Sequence, residues 1–402
     1  MGGARQESGR GPLPGKIRGQ EQDQRPSVKE EHRKGDQDVN RIRSVIDGGI
    51  REGTFPGAVL LVSRKGRVAF FESFGNRMLV PHAAPMRRQT IFDLASLTKV
   101  FATTLAMMKL VDSGRVELDQ PLSELIPSAD LAEKKSLTPR LLLTHSSGLP
   151  AHKPFFVGLV EYPPDRRKEI VREWIVREPF DYETGKGSVY SDLGFMLLEW
   201  IVEACTGTSL KEFAEESFYE PLGLRSTFFR TEDFPSDGLE YAATQYCPWR
   251  KRLLLGEVDD ENAFALGGYS GHAGLFSTAE EVWTLSEMLR GHYLGDRSDF
   301  FRPETVREFF RRQDVVEGSD WALGWDTRAV EGSSAGRFFS RDSVGHTGFT
   351  GTSIWMDLVK DVTAIFFTNR VHPTRNNTEA FKAFRPKIHD AIMEDLKNGV
   401  ME

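Results

Sequence analysis

One segment narrows the possible folds more than any other. From Ser96 to about Ser113 the chain reads SLTKVFATTLAMMKLVDS, and after its first turn this stretch is apolar on nearly every side. A surface helix keeps a polar face, whereas a helix without one is buried in the middle of a fold. The chain must therefore build layers around this helix, which Gly114 stops.

With 402 residues, 39% of them hydrophobic and 28% charged, the chain has material for such a core and an enclosed pocket, as one large domain or two subdomains. A net charge of -7 without an obvious basic face gives no reason to invoke nucleic acid or an acidic membrane surface. The expected partner is a small-molecule or short-peptide substrate, and the oligomeric state is left open. Cys205 and Cys247 exclude a disulfide scaffold and show no metal-ligand or redox spacing, so no cofactor and no metal is expected. No apolar run approaches the roughly 20 residues of a membrane helix. The first forty residues also lack the apolar core of a secretory signal, so the expectation is a cytoplasmic protein without a membrane span.

Residues 1–37 mix charges with Gly, Pro and Gln and are expected to form a disordered tail. Val39, Ile42, Val45, Ile46 and Ile50 then predict a helix that Gly53 ends. GAVLLVSRKGRVAFFESFG predicts a β-hairpin turning at Arg64, Lys65 and Gly66. Residues 115–277 carry mostly helical patterns, as in KEIVREWIVREP, LGFMLLEWIVEACTG and SLKEFAEESFYEPLG. After them come a helix in STAEEVWTLSEMLRG, two strands in TSIWMDLVKDVTAIFFTNR and a closing helix in EAFKAFRPKIHDAIMEDL. The order predicts a sheet subdomain from 38–114 and 278–395, with an inserted helical subdomain, 115–277, packed beside it. A pocket belongs in the crevice between the two.

Three short motifs carry candidate chemistry. Ser96 and Lys99, three apart at a helix start, share a face, so the amine reaches the hydroxyl where the helix end favours a developing oxyanion. Read without that chemistry, Ser96 is a helix cap and Lys99 a surface lysine, although a solvated lysine fits an all-apolar helix poorly. Tyr190-Ser191-Asp192 precedes another periodic helix; a phenol beside a lysine titrates below its ordinary value of about 10 and would take the proton of Ser96. The plainer reading makes Ser191 or Asp192 an N-cap and Tyr190 a staple residue. His346-Thr347-Gly348 lies in GHTGFTGTS before a strand; glycine lets a substrate lie against the strand edge, or simply shapes a turn.

These motifs, in this order, resemble the serine β-lactamase-like and penicillin-binding-protein superfamily in its class C β-lactamase, DD-peptidase and esterase branch (peptidase S12-like), whose usual set is S-x-x-K, Y-x-N and K-T-G or H-x-G. LLLTHSSGLP at 141–150 and NAFALGGYSGHAGLFSTAEEV at 262–282 are similar to family segments as well. The resemblance covers residues 38–395 and implies an α+β fold, an antiparallel sheet flanked by helices with an all-helical subdomain. It further implies Ser96 as nucleophile, Lys99 as its partner and Tyr190 as general base. Asp192 stands for the usual asparagine and His346, with Thr347 and Gly348, for the usual lysine motif; the N–H groups of Ser96 and Phe349 form the oxyanion hole.

Two departures direct the expectation. Asp192 favours a charged Lys99 and so favours Tyr190 as the base. His346 offers only a weaker, pH-dependent positive charge. Both point away from an efficient β-lactamase and towards a DD-carboxypeptidase, D-amino-acid amide or esterase activity by acyl-enzyme chemistry.

The alternatives have less in the sequence. An α/β-hydrolase needs a G-x-S-x-G elbow, and Gly268-Tyr269-Ser270-Gly271 has its second glycine one place early. His145, His272 and His346 lack metal-ligand spacing, and His145 and His272 are expected as turn residues that line or support the pocket. A non-turnover penicillin-binding or sensor module would share every motif. Phe155, Phe156, Trp174, Tyr190 and Trp200 either shape an acyl pocket or, at helical spacing, fill core.

Overall fold

The structure, a computed structural model, describes residues 35–231, 238–399 and 401. Residues 1–34 of the expected tail lie outside this range, whereas residues 35–37 already belong to the first helix, Gly35–Arg51. The helix begins earlier than its apolar pattern because polar residues in a first turn need no buried face.

The strands in chain order are β1 (Gly57–Arg64), β2 (Arg67–Met78), β3 (Ala84–Pro85), β4 (Phe92–Asp93), β5 (Phe228–Phe229), β6 (Tyr246–Cys247), β7 (Arg252–Leu253), β8 (Leu275–Ser277), β9 (Asp326–Thr327), β10 (Val344–Thr347), β11 (Thr352–Asp357) and β12 (Val362–Thr368). The main sheet has seven strands in the order β3-β2-β1-β12-β11-β10-β9, with antiparallel pairing throughout. The predicted hairpin is β1–β2. Lys65 and Gly66 both take positive φ, the two-residue turn whose twist matches that of the strands.

Strand β1 lies inside the sheet between β2 and β12 and is buried on both faces, which accounts for its unbroken apolar run. Val59 and Leu61 pack towards the central helix, with Ile365 and Phe367 beside them. Ala58, Leu60 and Val62 face the two terminal helices through Ile42, Ile46, Phe384, Ile388 and Ile392. Sequence-distant ends thus complete one sheet, as Leu60 pairs with Phe366 and Leu61 with Ile365.

The central helix is enclosed as its composition demands. Lys99–Thr104 forms a wide π-helical turn with every residue buried and continues as the α-helix Leu105–Asp112. Around it lie the helices Asp192–Thr206, Leu210–Ala214 and Pro303–Phe310. Of the described residues, no single helix is long and apolar enough to cross a membrane.

The stretch 115–277, expected to be all-helical, also holds β5 to β8. Strands of two or three residues span barely one alternation and leave no period to read. One of them positions the site: β8 pairs with β4, just ahead of Ser96, and with β5.

Candidate active site

Ser96 sits where the chain leaves β4 and turns into the central helix. Leu94 N–H donates to the Leu275 carbonyl of β8, and the N–H groups of Leu97, Thr98 and Lys99 donate to the carbonyls of Leu94, Ala95 and Ser96. This tight turn holds Ala95 at φ +47°, a left-handed conformation that costs a non-glycine residue about 1–3 kcal/mol. Such strain persists only where the surroundings over-determine it.

Lys99 lies behind the serine and is fully buried. Its ammonium has three donors, and three oxygens receive them: Ser96 Oγ at 3.3 Å, Asp192 Oδ1 at 2.7 Å and the His272 carbonyl at 3.1 Å. Burial, the largest single influence, works against the charge, yet the Asp192 carboxylate and then Tyr190 together outweigh it and hold the amine above its ordinary value. The surface-lysine reading is thereby excluded.

Asp192 opens the helix Asp192–Thr206, for which Ser191, not Asp192, is the N-cap, accepting from Gly194 N–H. The second oxygen of Asp192 meets His152 Nδ1 at 3.3 Å. Burial alone would raise the Asp192 carboxyl; Lys99 and then His152 hold it well below the usual carboxylate range. His152 in turn is raised by its hydrogen bond to Asp192. Nothing in the sequence singled out His152, which follows the family-like 141–150 segment without a motif of its own.

Tyr190 borders the same cavity, its ring centroid 4.8 Å from Lys99 Nζ. Among the described residues its buried hydroxyl makes no well-formed hydrogen bond, although Lys99 and Ser96 lie near enough to favour the phenolate. The expectation of a phenol titrating below 10 is corrected here: burial pushes Tyr190 up, the nearby Lys99 opposes this, and the Asp192 charge adds to the rise. Burial is the largest influence, so the help of the Lys99 ammonium, offset in part by the Asp192 charge, is outweighed. His145 at 4.6 Å and Trp321 at 5.8 Å between ring centroids hold the tyrosine ring in place. Trp321 was not a sequence candidate, because an isolated aromatic in a loop carries no periodic signal.

His346, in β10, is also corrected. Its Nδ1 lies 3.0 Å from the Thr347 carbonyl, which only accepts, so Nδ1 carries the proton and Nε2 is left as a buried lone pair without a partner among the described residues. Burial, then the Lys99 charge, brings its pKa down to about 3. The position expected to supply a partial positive charge supplies a neutral acceptor.

Gly348 N–H donates to the Thr352 carbonyl at 2.7 Å, and a Cβ on Gly348 would run into Thr352 Oγ1 and approach Leu94 O to 2.6 Å. Glycine is needed here because this strand end presses against the turn that carries Ser96. Thr347, Gly348 and the half-exposed Phe349 line the cavity beside it.

The cavity encloses about 720 Å³ and brings together Ser96, Tyr190, Asp192, His346, Thr347, Gly348 and Phe349. Of the residues that the family resemblance assigned to the site, Lys99 alone does not border it and is sealed beneath. His272 lines it and binds Asp260 at 3.0 Å, while His145 supports it from within, its Nδ1 accepting from Ser191 N–H. Ser270, the alternative nucleophile, donates its buried hydroxyl to Glu199 at 2.7 Å. Phe155, Phe156, Trp174 and Trp200 pack in or against the core.

A basic wall went unnoticed in the sequence because its residues are dispersed. Arg370 and Arg375 flank the Phe349 ring at 4.7 and 5.0 Å, with Arg385 deeper, bonded to the carbonyls of Gly348 and Thr352. Arg375 pairs with Asp259 and Glu261. Among the described residues, neither Arg370 nor Arg385 has a carboxylate within ion-pair distance, and burial lowers both guanidiniums.

Comparison with known proteins gives a consistent set. The family model described as Beta-lactamase matches residues 42–384. The chain is 32% identical over 365 residues to the N-acetylmuramyl-L-alanine amidase of Bacillus subtilis (strain 168), covering 83% of this chain and 81% of that protein. It is 33% identical over 348 residues to an Escherichia coli (strain K12) protein described as "Putative D-alanyl-D-alanine carboxypeptidase", covering 79% of each. Among solved structures, EstCE1, a hydrolase with promiscuous acyltransferase activity, superposes with a TM-score of 0.69 at 22% identity over 89% of this chain and 99% of that one. The octameric penicillin-binding protein homologue from Pyrococcus abyssi gives 0.68 at 22% identity over 90% and 78%.

Proposed function

The chain belongs to the Beta-lactamase family, and from that premise we propose that it is a serine hydrolase forming an acyl-enzyme on Ser96, with an amide- or ester-linked short peptide or small molecule as substrate. The observation that carries this reading is the buried Lys99 ammonium bridging Ser96 Oγ and the Asp192 carboxylate at the floor of the cavity. A buried lysine is costly, and one whose donors end on a cavity-lining hydroxyl is placed for proton transfer.

In the proposed cycle Ser96 Oγ attacks the substrate carbonyl. Its proton passes to Lys99 and Tyr190, which act as one coupled site. The N–H groups of Ser96 and Phe349 receive the oxyanion. The coupled pair then protonates the leaving group, and water releases the acyl group from Ser96.

Two features support an amide substrate with an anionic group over a simple ester. Arg370 and Arg385 face the cavity without carboxylate partners, and a buried guanidinium is stabilised by an anionic ligand. The relatives described as an N-acetylmuramyl-L-alanine amidase and a "Putative D-alanyl-D-alanine carboxypeptidase" are in keeping with an amide substrate. The neutral His346 favours a hydrogen-bond donor in the substrate at its own position, a condition that a peptide N–H meets.

Time-resolved mass spectrometry with D-alanyl-D-alanine peptides, muramyl-peptide amides, nitrophenyl esters and a penicillin tests the proposal. A transient adduct on the peptide containing Ser96 is the expected result. A permanent adduct with every compound would indicate a sensor module instead, and adducts confined to another residue would remove Ser96 from its role.

The Lys99–Tyr190 pair also makes the reaction pH-dependent. Asp192 raises both groups, so the proton-accepting form of the pair is the minor one at neutrality, and kcat/KM should climb as pH rises above 7. Removing that negative charge lowers both values. Asp192→Asn should therefore move the acid limb of kcat/KM to lower pH, whereas an unmoved limb would separate the pair from the chemistry.

A further inference from the structure

The turn bearing Ser96 is held by a buried carboxylate that the mechanism above does not use. Asp93, the last residue of β4, is sealed from solvent and yet makes no ion pair among the described residues. Its Oδ1 accepts the N–H of Ala95 at 2.8 Å, and its Oδ2 accepts the N–H of Asp259 at 2.6 Å. Its carbonyl receives Thr350 Oγ1 at 2.7 Å, from the loop between β10 and β11.

We propose that Asp93 is a positioning residue whose ionised carboxylate clamps the left-handed Ala95, and with it Ser96, against the cavity wall at Asp259. The inference rests on Ser96 being the nucleophile. The strain at Ala95 gives the clamp its purpose, because a non-glycine residue relaxes from φ +47° unless its N–H is captured. The same carboxylate joins both sides of the cleft. Asp259 binds Arg375, and its neighbour Asp260 holds His272, whose carbonyl receives the Lys99 ammonium. One side chain therefore registers the serine turn against the wall that aligns its lysine.

The clamp needs both oxygens as acceptors, and a protonated carboxyl oxygen is a poor one. The charged groups facing Asp93 are Asp259, whose own charge is offset by Arg375, and Asp260, which is hydrogen-bonded to His272. Burial first, then the Asp259 charge, brings the Asp93 carboxyl up to about 7. The ionised clamp is thus lost just below neutrality, in a range where the Lys99–Tyr190 pair is already protonated.

The test is kcat and KM for a neutral nitrophenyl ester against pH, with active enzyme counted by a fluorophosphonate that labels the nucleophile. In the wild type, kcat should pass from first to second order in protons below about pH 7. Asp93→Asn keeps the acceptor for Ala95 but turns an amide N–H towards that of Asp259. It should lower kcat per labelled site by about 10²-fold, the cost of a misplacement near 1 Å. KM should hardly change, and the second-order limb should vanish.

His152→Gln and Asp326→Asn check the cavity-lining imidazole and carboxyl whose pKa is raised, Asp326 to about 7, and each should retain that limb. A wild-type kcat and limb in Asp93→Asn overturns the proposal, as does a lowered kcat with the limb intact, or loss of the limb in His152→Gln or Asp326→Asn. Ser96→Ala, run alongside, separates the two readings. Labelling that survives in it refutes Ser96 as the nucleophile; labelling lost there with Asp93→Asn unchanged refutes only the clamp.

Discussion

Ser96→Ala is expected to reduce kcat/KM for a nitrophenyl ester by about 10⁴–10⁶-fold, the scale on which removal of a serine nucleophile acts in hydrolases of this chemistry. The fold should survive, because among the described residues Ser96 Oγ receives one hydrogen bond, at 3.3 Å, and the turn is held by backbone and Asp93 contacts. Lys99 keeps its two shorter bonds, to Asp192 and the His272 carbonyl, so the thermal midpoint should change little. Turnover within tenfold of wild type, measured after removal of contaminating esterase, would place the nucleophile elsewhere.

Lys99→Met should damage both activity and stability. Methionine is near in volume, so the loss is of charge rather than packing. Asp192 would keep only the longer His152 contact, and breaking a buried ion pair by removing one partner costs about 3–5 kcal/mol. The cost should show as a lower urea midpoint with an unchanged slope. Adding Asp192→Asn should recover much of that stability, since no carboxylate is then left unpaired, while activity stays lost. A double variant as unstable as the single one would show that the pair is not what stabilises this region.

The sign of the pH dependence follows from the same pair. Asp192 is held below its unfolded value, so its contribution is full above about pH 4 and falls away as acid protonates the folded form. Lys99 is held above its unfolded value, so its contribution is full below about pH 10 and falls away as base removes its proton. Stabilisation by the pair is therefore greatest between those limits.

Some of this molecule was legible one residue at a time. The all-apolar run after Ser96 required an enclosed helix, the alternation around Lys65-Gly66 required a hairpin, and the order of Ser96, Tyr190 and His346 named the family. Spacing of three on one helix was enough to bring Lys99 to Ser96, because that distance is local. The short strands β5 to β8 were not legible, since two or three residues carry no period, although β8 holds the turn ahead of Ser96.

Ionisation was decided by tertiary structure alone. Sequence motifs fix which groups are near one another, but burial and the sum of all neighbouring charges fix their protonation, and those come from distant segments. Hence Tyr190 is raised where a neighbouring lysine suggested it would be lowered, and His346 is neutral where its position suggested a cation. The same reason hid His152, Trp321 and Arg370, which reach the cleft from separate loops, and Asp93, which holds the Ser96 turn from behind; only folding adds them together.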